Sequence, residues 1–176
     1  MSLTALRDAL PAYAADQQVN IDVLSAETLL TEQQKWGCFL ACAYATGVAQ
    51  VIKAIEADAT SRLSADARVA AKSAATVMAM NTVYYRAINL LNNHDYRAAP
   101  AHLSMLALSQ AGVDKIDFEL WALAVSAVHG CGSCLNAHES DLHKRGVSLE
   151  RIQAALRIAS TVSAVAATVL MEAAAA

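Results

Sequence analysis

Two cysteines and a histidine lie close together in the second half of the chain, at Cys131, Cys134 and His138. If a helix begins at Cys131, these side chains occupy positions i, i+3 and i+7 and share one face. Cysteines with this spacing can bring their Cα atoms to about 5–6 Å, the range in which a disulfide closes. The partial positive charge of a helix N-terminus also stabilises a thiolate. The spacing therefore predicts a redox-active dithiol.

His138 and Glu119 are the candidate acid–base groups for this dithiol. His138 lies one helical turn beyond Cys134 and can accept or return its proton. Glu119 lies on the preceding predicted helix, where its carboxylate could orient the imidazole and favour the charged form. Spacing alone does not decide which sulfur is the nucleophile. The helix end favours a thiolate at Cys131, whereas the adjacent base favours one at Cys134.

Other interpretations of the same cluster stay open at this point. Two buried cysteines with an unrelated histidine would be purely structural. A zinc site could take Cys131, Cys134, His138 and Glu119 as four ligands, although the chain has no second CxxC or HxxxH, and we expect no metal. Covalent haem attachment is excluded in its usual form because Leu135 follows Cys134 where histidine is required. A thioredoxin fold is disfavoured because no strand precedes the motif.

The remaining reactive residue types are expected to have structural positions. Cys38 and Cys42 are four residues apart in an apolar helical segment, which is typical of a buried core. His129 precedes Gly130 and could approach the site, but a position in the loop of a helix junction is expected. Tyr84, Tyr85 and Arg86 could line a pocket or a subunit contact, but core or interface packing is expected. The remaining candidates are expected on solvated helix faces (Asp8, Glu56 and Asp58) or in turns and at the surface (His94, His102 and His143).

The composition predicts an all-α scaffold for these residues. Alanine accounts for 40 of the 176 residues, against 2 prolines and 6 glycines. Alanine has the highest helix propensity because it loses no side-chain entropy in a helix. No linker-like stretch divides the chain, so we expect a single compact multi-helix domain over residues 1–176, with a frayed tail at 173–176.

Caps and breaks predict where the helices begin and end. Ser64, Asp114 and Ser148 are suited to N-caps, while Gly47 and Gly146 are suited to helix ends. No segment alternates as a strand does. The predicted helical segments are 2–10, 27–46, 48–60, 65–91, 100–108, 115–128, 131–145 and 149–172.

The two halves of the chain have a similar order of elements. Aligning Trp36 with Trp121 superposes two helix–break–helix units over about 32–85 and 117–172. Few residues are identical, and alanine-rich helices match easily by chance, so the sequence leaves an internal duplication open. Only the second unit carries the reactive cysteines and histidine.

Charge and hydropathy restrict the partners and the location. A net charge of −3 with no basic cluster argues against nucleic acid as the main partner. The mean hydropathy of +0.34 is high, but the uncharged stretches 36–52 and 120–138 are interrupted by polar residues and glycines, so no membrane span is expected. The first residues lack the features of a signal peptide, which predicts a cytoplasmic protein. We expect the surplus apolar surface to form contacts in a homo-oligomer.

The motif resembles that of a known family. Glu119, eleven residues, Cys131-x-x-Cys134, three residues and His138 match the pattern E-x11-C-x-x-C-x3-H of the alkyl hydroperoxide reductase AhpD family, within the carboxymuconolactone decarboxylase-like superfamily. The resemblance extends over nearly the whole chain. It includes the segments Leu-x-x-Ala-Leu-Pro11, Trp36-Gly37, Met80-Asn81-x-x-Tyr84-Tyr85-Arg86 and Phe118-Glu119-Leu120-Trp121.

The resemblance implies a specific activity. Such proteins are all-α and usually trimeric, hold no tightly bound cofactor, and reduce organic hydroperoxides weakly. They also regenerate a peroxiredoxin partner of the alkyl hydroperoxide reductase C type, with electrons from a dihydrolipoyl group on an acyltransferase subunit. The family pattern implies that Cys134 attacks the peroxide and becomes a sulfenic acid, and that Cys131 is the proton donor and resolving thiol. His138 and Glu119 would relay protons. Many members have histidine where this chain has Ser133, which puts in doubt a proton-transfer role at that position.

Two other classes of function share these residues. A decarboxylase or other lyase of the same superfamily would use His138 and Glu119 for acid–base chemistry, but it would not need a dithiol. A non-enzymatic thiol sensor or redox adaptor would need the cysteines but no peroxide turnover.

Overall fold

The computed structural model describes all 176 residues and is all-α, as predicted, with nine α-helices and two short 3₁₀ helices. Many of the buried core positions are alanine, so the helices approach one another closely. The α-helices are α1 (Leu3–Asp8), α2 (Ala15–Ser25), α3 (Glu32–Thr46), α4 (Ala49–Ala59), α5 (Ala65–Leu90), α6 (Asp95–Ala98), α7 (Lys115–Val128), α8 (Gly132–Lys144) and α9 (Leu149–Ala175).

Helices α3 and α7 form the centre of the domain and pack against each other, with α5 and α9 on their flanks. The two helices pack tightly at Gly37, where a Cβ atom would overlap the indole ring of Trp121. The Trp121 indole N–H donates a 3.1 Å hydrogen bond to the carbonyl of Gln34. The central pair of helices therefore depends on glycine at position 37.

The two halves have the same order of elements. Helices α3, α4 and α5 have 15, 11 and 26 residues, and α7, α8 and α9 have 14, 13 and 27. A glycine with positive φ follows the first helix of each set. It is Gly47 (φ 70°) after α3 and Gly130 (φ 67°) after α7. Glycine adopts this left-handed conformation without the steric cost of a Cβ atom. A common origin of the two halves stays a prediction.

Several predicted helix boundaries were wrong. Helix α2 was not predicted, and its apolar face is short, with Ile21 and Leu24 buried. Helix α3 begins at Glu32 rather than near residue 27 because Thr31 forms a capping box with Gln34. At the other end of the chain, the predicted frayed tail is helical as far as Ala175, in keeping with the high helix propensity of alanine.

The helix predicted for residues 100–108 is absent. A short helix, α6, ends before Pro100, and a 3₁₀ helix covers only Leu106–Leu108. Ala99 is extended, with ψ of 142°, because proline disfavours the helical conformation in the preceding residue. His102 has a positive φ of 51°. The connection between α6 and α7 is therefore mostly irregular, and part of it lies beside the reactive cysteines.

Helix α9 is long and apolar enough to cross a membrane by length and composition, although the sequence patterns led us to expect no span. Half of its most apolar window is buried inside the domain. It packs mainly against α3 and α7, through residues such as Ile158 and Val162. These contacts account for its apolar face, as expected for a core helix of a helical domain.

Candidate active site

Cys131 and Cys134 form a disulfide at the start of α8. Cys131 is the N-cap residue, Cys134 lies in the first turn, and their Cα atoms are 5.3 Å apart. Gly130, with a φ of 67°, reverses the chain between α7 and α8. The backbone N–H of Cys134 points to the sulfur of Cys131 at 3.4 Å. The helix start thus holds both sulfurs where its N–H groups favour negative charge.

His138 and Glu119 form a buried acid–base pair behind the disulfide. Nδ1 of His138 lies 2.6 Å from Oε2 of Glu119, and the two residues are 8% and 5% exposed. The pair joins α8 to α7, which pack against each other. Because Glu119 accepts the hydrogen bond from Nδ1, the other ring nitrogen of His138, Nε2, is free to exchange a proton with a substrate or a thiol.

Lys115 is a further partner of Glu119. Its Nζ atom lies 2.5 Å from Oε1 of Glu119, one turn away on α7. Burial opposes ionisation of Glu119, but hydrogen bonds from His138 and Lys115 outweigh it, so the pKa of Glu119 is lowered. Glu119 is therefore a carboxylate at neutral pH. The i, i+4 spacing of Lys115 and Glu119 was a readable signal for this contact.

A cavity of about 230 Å³ lies beside Cys134. Helix α8 supplies one wall, and α5 and the irregular connection before α7 supply the others. Cys134 lines the cavity, whereas Cys131 has no exposed surface. The side chains around it are mostly apolar: Met78, Asn81, Tyr85, Met105, Leu108, Ser133, Cys134, Ala137 and His138. The arrangement offers an apolar compound access to one sulfur and one imidazole.

Comparison with known proteins places this site in a family. The profile of the carboxymuconolactone decarboxylase family matches residues 94–176. The alkyl hydroperoxide reductase AhpD of Hyphomonas neptunium is 53% identical over 174 residues, which is 99% of this chain and 97% of that protein. The AhpD of Maricaulis maris is 50% identical over 98% of this chain and 99% of its own. The chain belongs to the alkyl hydroperoxide reductase AhpD family. The resemblance seen in the sequence is thus confirmed.

In this AhpD-family chain, Ser133 lies between the two cysteines. It is half-buried, and its hydroxyl oxygen lies 3.5 Å from the sulfur of Cys131. It also lines the cavity. A hydroxyl at this distance can hydrogen-bond to a thiol, but it does not titrate near neutral pH as an imidazole does.

The four predicted site residues are not arranged as a metal site. No group of three or more histidine, cysteine or acidic side chains has the geometry to hold a metal ion. The sulfurs of Cys131 and Cys134 are bonded to each other, and both oxygens of Glu119 are taken by His138 and Lys115. The geometry gives the zinc interpretation no support.

The other sequence candidates of this AhpD-family member, apart from Tyr85, lie away from the site. Cys38 and Cys42 are fully buried in α3, and burial raises the pKa of both thiols. His129 ends α7 outside the thiol cavity, and burial together with the nearby Arg86 charge lowers its pKa. Tyr84 is half-buried and does not line the cavity. Asp58 caps α1 by accepting the N–H of Leu3. The exposed residues are Asp8, Arg86, His94, His102 and His143.

Sequence reasoning missed part of the cavity wall. Met105 and Leu108 follow Pro100 in a segment that was predicted to be a simple helix. Asn81 belongs to a segment noted only for its resemblance to the family, whereas Tyr85 was considered for a pocket or subunit contact, with core or interface packing expected. The one available signal was their i, i+4 spacing, which places both on the same face of α5.

Proposed function

We propose that this protein is an antioxidant thiol oxidoreductase, an alkyl hydroperoxide reductase that uses Cys131 and Cys134 as its redox centre. One observation carries the proposal. Cys134 of the disulfide lines an apolar cavity that it shares with His138, and His138 is paired with an ionised Glu119. The relatives named alkyl hydroperoxide reductase AhpD, at about half identity over nearly the full chain, support the same activity.

The substrate class follows from the cavity. A volume of about 230 Å³ accommodates a small organic group. Its apolar walls include Met78, Met105 and Leu108, which favour an alkyl or aryl substituent over water. We therefore assign organic hydroperoxides as substrates in preference to hydrogen peroxide.

Peroxide reduction begins at Cys134 because only this sulfur reaches the cavity. The Cys134 thiolate attacks the terminal oxygen of the hydroperoxide, an S–O bond forms and the O–O bond breaks. Cys134 becomes a sulfenic acid, and the departing alkoxide takes a proton to become an alcohol. Cys131, now a thiolate because its proton has gone to the alkoxide, attacks the sulfenic sulfur; an S–S bond forms, and the leaving hydroxide takes a proton from His138 to become water. Two electrons have passed from the two sulfurs to the peroxide.

Proton transfer in this cycle is assigned to Cys131, His138 and Glu119. Cys131 is adjacent to the nucleophile and supplies the proton that the alkoxide takes. His138 lies one turn beyond Cys134 and can take up the proton of its thiol. The Glu119 carboxylate stabilises the imidazolium that results, at a hydrogen-bond distance of 2.6 Å.

Reduction of the disulfide requires an external dithiol. We assign a dihydrolipoyl group, carried on an acyltransferase subunit, as the electron donor. One of its thiolates attacks Cys134, a mixed disulfide forms, and its second thiol closes the lipoyl disulfide and releases the reduced protein. The reduced pair can also pass its electrons to the disulfide of a peroxiredoxin of the alkyl hydroperoxide reductase C type. The sulfurs store the electrons, so the cycle needs no tightly bound cofactor.

We also propose that the protein is a cytoplasmic homotrimer. Several large apolar side chains are exposed on the isolated chain, and burying them would favour association. Those on α5 and the segment after it are Val69, Val83, Leu90, Leu91, Tyr96, Leu103 and Leu106. The number of subunits rests on the family, and light scattering of the purified protein would measure it.

Thiol titration distinguishes this function from its alternatives. The reduced protein is treated with one equivalent of cumene hydroperoxide, its thiols are counted, and dihydrolipoamide is then added. Loss of two thiols with catalytic recovery supports the reductase. Loss without recovery supports a thiol sensor, and no loss favours a lyase. Metal analysis of the same sample tests the zinc interpretation.

A further inference from the structure

Asn81 and Tyr85 lie one turn apart on α5, and both line the cavity that contains Cys134. Asn81 is only 4% exposed, yet its side-chain oxygen Oδ1 has no hydrogen-bond partner in the protein. The hydroxyl of Tyr85 faces the sulfur of Met105 at 3.9 Å. Because a thioether sulfur is a weak acceptor, two polar groups in this apolar cavity lack a strong partner.

Unpartnered buried polar atoms are uncommon because leaving them unsatisfied costs free energy. Such an atom beside a reactive sulfur suggests that a ligand completes its hydrogen bonds. A hydroperoxide has the matching groups, namely one O–H donor and two oxygen acceptors. The side-chain amide of Asn81 offers an acceptor and two donors, and the hydroxyl of Tyr85 offers one of each.

Asn81 and Tyr85 follow one another along α5 in the order in which the terminal and the alkyl-bound oxygen of a hydroperoxide would follow the Cys134 sulfur. The backbone carbonyl oxygen of Asn81 is 4.0 Å from the sulfur of Cys134, so this residue lies next to the nucleophile. Tyr85 lies one turn further along the helix. The terminal peroxide oxygen must approach the sulfur, while the oxygen that carries the alkyl group points away from it.

We propose that Asn81 and Tyr85 bind the two oxygen atoms of the hydroperoxide, an assignment that rests on the proposed function. Oδ1 of Asn81 accepts the hydrogen of the terminal O–H group and holds this oxygen against the Cys134 thiolate. As the S–O bond forms, the electron pair of the O–O bond moves to the alkyl-bound oxygen. The hydroxyl of Tyr85 donates a hydrogen bond to this oxygen as its negative charge develops. The alkoxide then takes its proton from Cys131.

The test measures two half-reactions separately. One is oxidation of the pre-reduced protein by a hydroperoxide, and the other is reduction of the oxidised protein by dihydrolipoamide. Asn81→Leu keeps the side-chain volume and removes the amide, and Tyr85→Phe removes only the hydroxyl. Rapid-quench thiol counting measures oxidation by cumene hydroperoxide. We expect oxidation to slow about 10- to 100-fold in Asn81→Leu and about 3- to 30-fold in Tyr85→Phe, as expected for lost transition-state hydrogen bonds. The same losses are expected with hydrogen peroxide, which has the same O–OH group.

Reduction of the disulfide by dihydrolipoamide is the internal control, because that step involves no peroxide oxygen. We expect its rate to change by less than about threefold in both variants. Tyr84→Phe is the matched control, since it removes a tyrosine hydroxyl one residue away and outside the cavity. Its oxidation rate should stay within about twofold of the unmodified protein.

Three results would overturn the assignment, each in a different way. If the unmodified protein loses no thiols to cumene hydroperoxide, the proposed function fails and this inference fails with it. If the unmodified protein reacts and both variants match its oxidation rate, only the assignment of Asn81 and Tyr85 fails. Equal slowing of oxidation and reduction would reveal a merely structural role. Thermal unfolding checks each variant, and Asn81→Ser replaces Asn81→Leu if the latter does not fold.

Discussion

Lys115 and Glu119 form an ion pair, with 2.5 Å between Nζ and Oε1, that connects the protein surface to its buried acid–base pair. The other oxygen of Glu119 lies 2.6 Å from Nδ1 of His138. Nζ of Lys115 also donates a 2.6 Å hydrogen bond to the carbonyl of Leu108, a residue of the cavity wall. Lys115 therefore holds both Glu119 and the irregular segment that covers the cavity.

Replacing Lys115 with methionine should make stability less dependent on acid pH. Losing one of its two hydrogen-bond partners raises the pKa of Glu119. The stability contributed by a carboxylate with a lowered pKa is present above its unfolded pKa and lost as pH falls through its folded pKa. In the variant the folded pKa lies closer to the unfolded pKa, so Glu119 contributes less stability at neutral pH and less is lost on acidification. Urea unfolding from about pH 3 to 7 measures the shift.

At neutral pH the cost of Lys115→Met should be about 1 kcal/mol, because the lysine side chain is 38% exposed and solvent weakens its charge interactions. Lys53→Met, at an exposed position of α4, is the matched control and should leave the pH dependence unchanged. An unaltered pH dependence in Lys115→Met would show that Lys115 does not support Glu119.

The two redox cysteines should differ when each is replaced by serine. In Cys134→Ser, hydroperoxide should oxidise no thiol of the pair, because Cys131 has no exposed surface. In Cys131→Ser, Cys134 should stop at the sulfenic acid, which dimedone traps and mass spectrometry detects. Cys42→Ala is the control and should react normally, because burial raises the pKa of that thiol. A dimedone adduct on Cys131 would reverse the assigned roles.

The cavity wall should control the choice of peroxide. Ala137 lines the cavity on α8, and Ala137→Phe would fill part of its volume of about 230 Å³. We expect the oxidation rate with cumene hydroperoxide to fall about tenfold and that with hydrogen peroxide to fall less than about threefold. Asn136→Phe, at the neighbouring exposed position, should change neither rate. Equal losses for both peroxides would contradict binding of the organic group in this cavity.

Gly37 should tolerate no larger side chain. A methyl group at this position would overlap the Trp121 ring, so α3 and α7 would have to separate. We expect Gly37→Ala to lower the free energy of unfolding by about 1–3 kcal/mol, the usual cost of overpacking a core. Gly132→Ala is the control because a methyl group there would meet no atom within 4 Å and the φ of Gly132 is not positive. Urea unfolding compares the two variants, and equal stabilities would refute the close contact.

The sequence predicted the parts of the site that depend on local geometry. Cys131, Cys134 and His138 could be placed on one face because the period of a helix relates neighbouring turns. Asp114 was correctly predicted as the N-cap of α7, and its side chain accepts the N–H of Ile116. Such signals act over a few residues and do not require knowledge of the fold.

Long-range packing decided the rest. The helix predicted to begin at Pro100 is absent, and the irregular chain beyond it brings Met105 and Leu108 to the cavity beside Cys134. Asn81 reaches the same cavity from α5, 53 residues before Cys134. No local pattern encodes such a meeting, because it depends on how α5, α8 and the connection before α7 pack together.

The sequence by itself determined an all-α chain and its AhpD family, and it predicted the four candidate residues Glu119, Cys131, Cys134 and His138, because composition and spacing act along the chain. Only the tertiary structure decided which sulfur reaches the cavity, that Lys115 holds Glu119, and that Asn81 and Tyr85 stand beside the thiol. Burial and the partners of a polar atom are properties of packed helices, so they arise only once distant segments have been brought together.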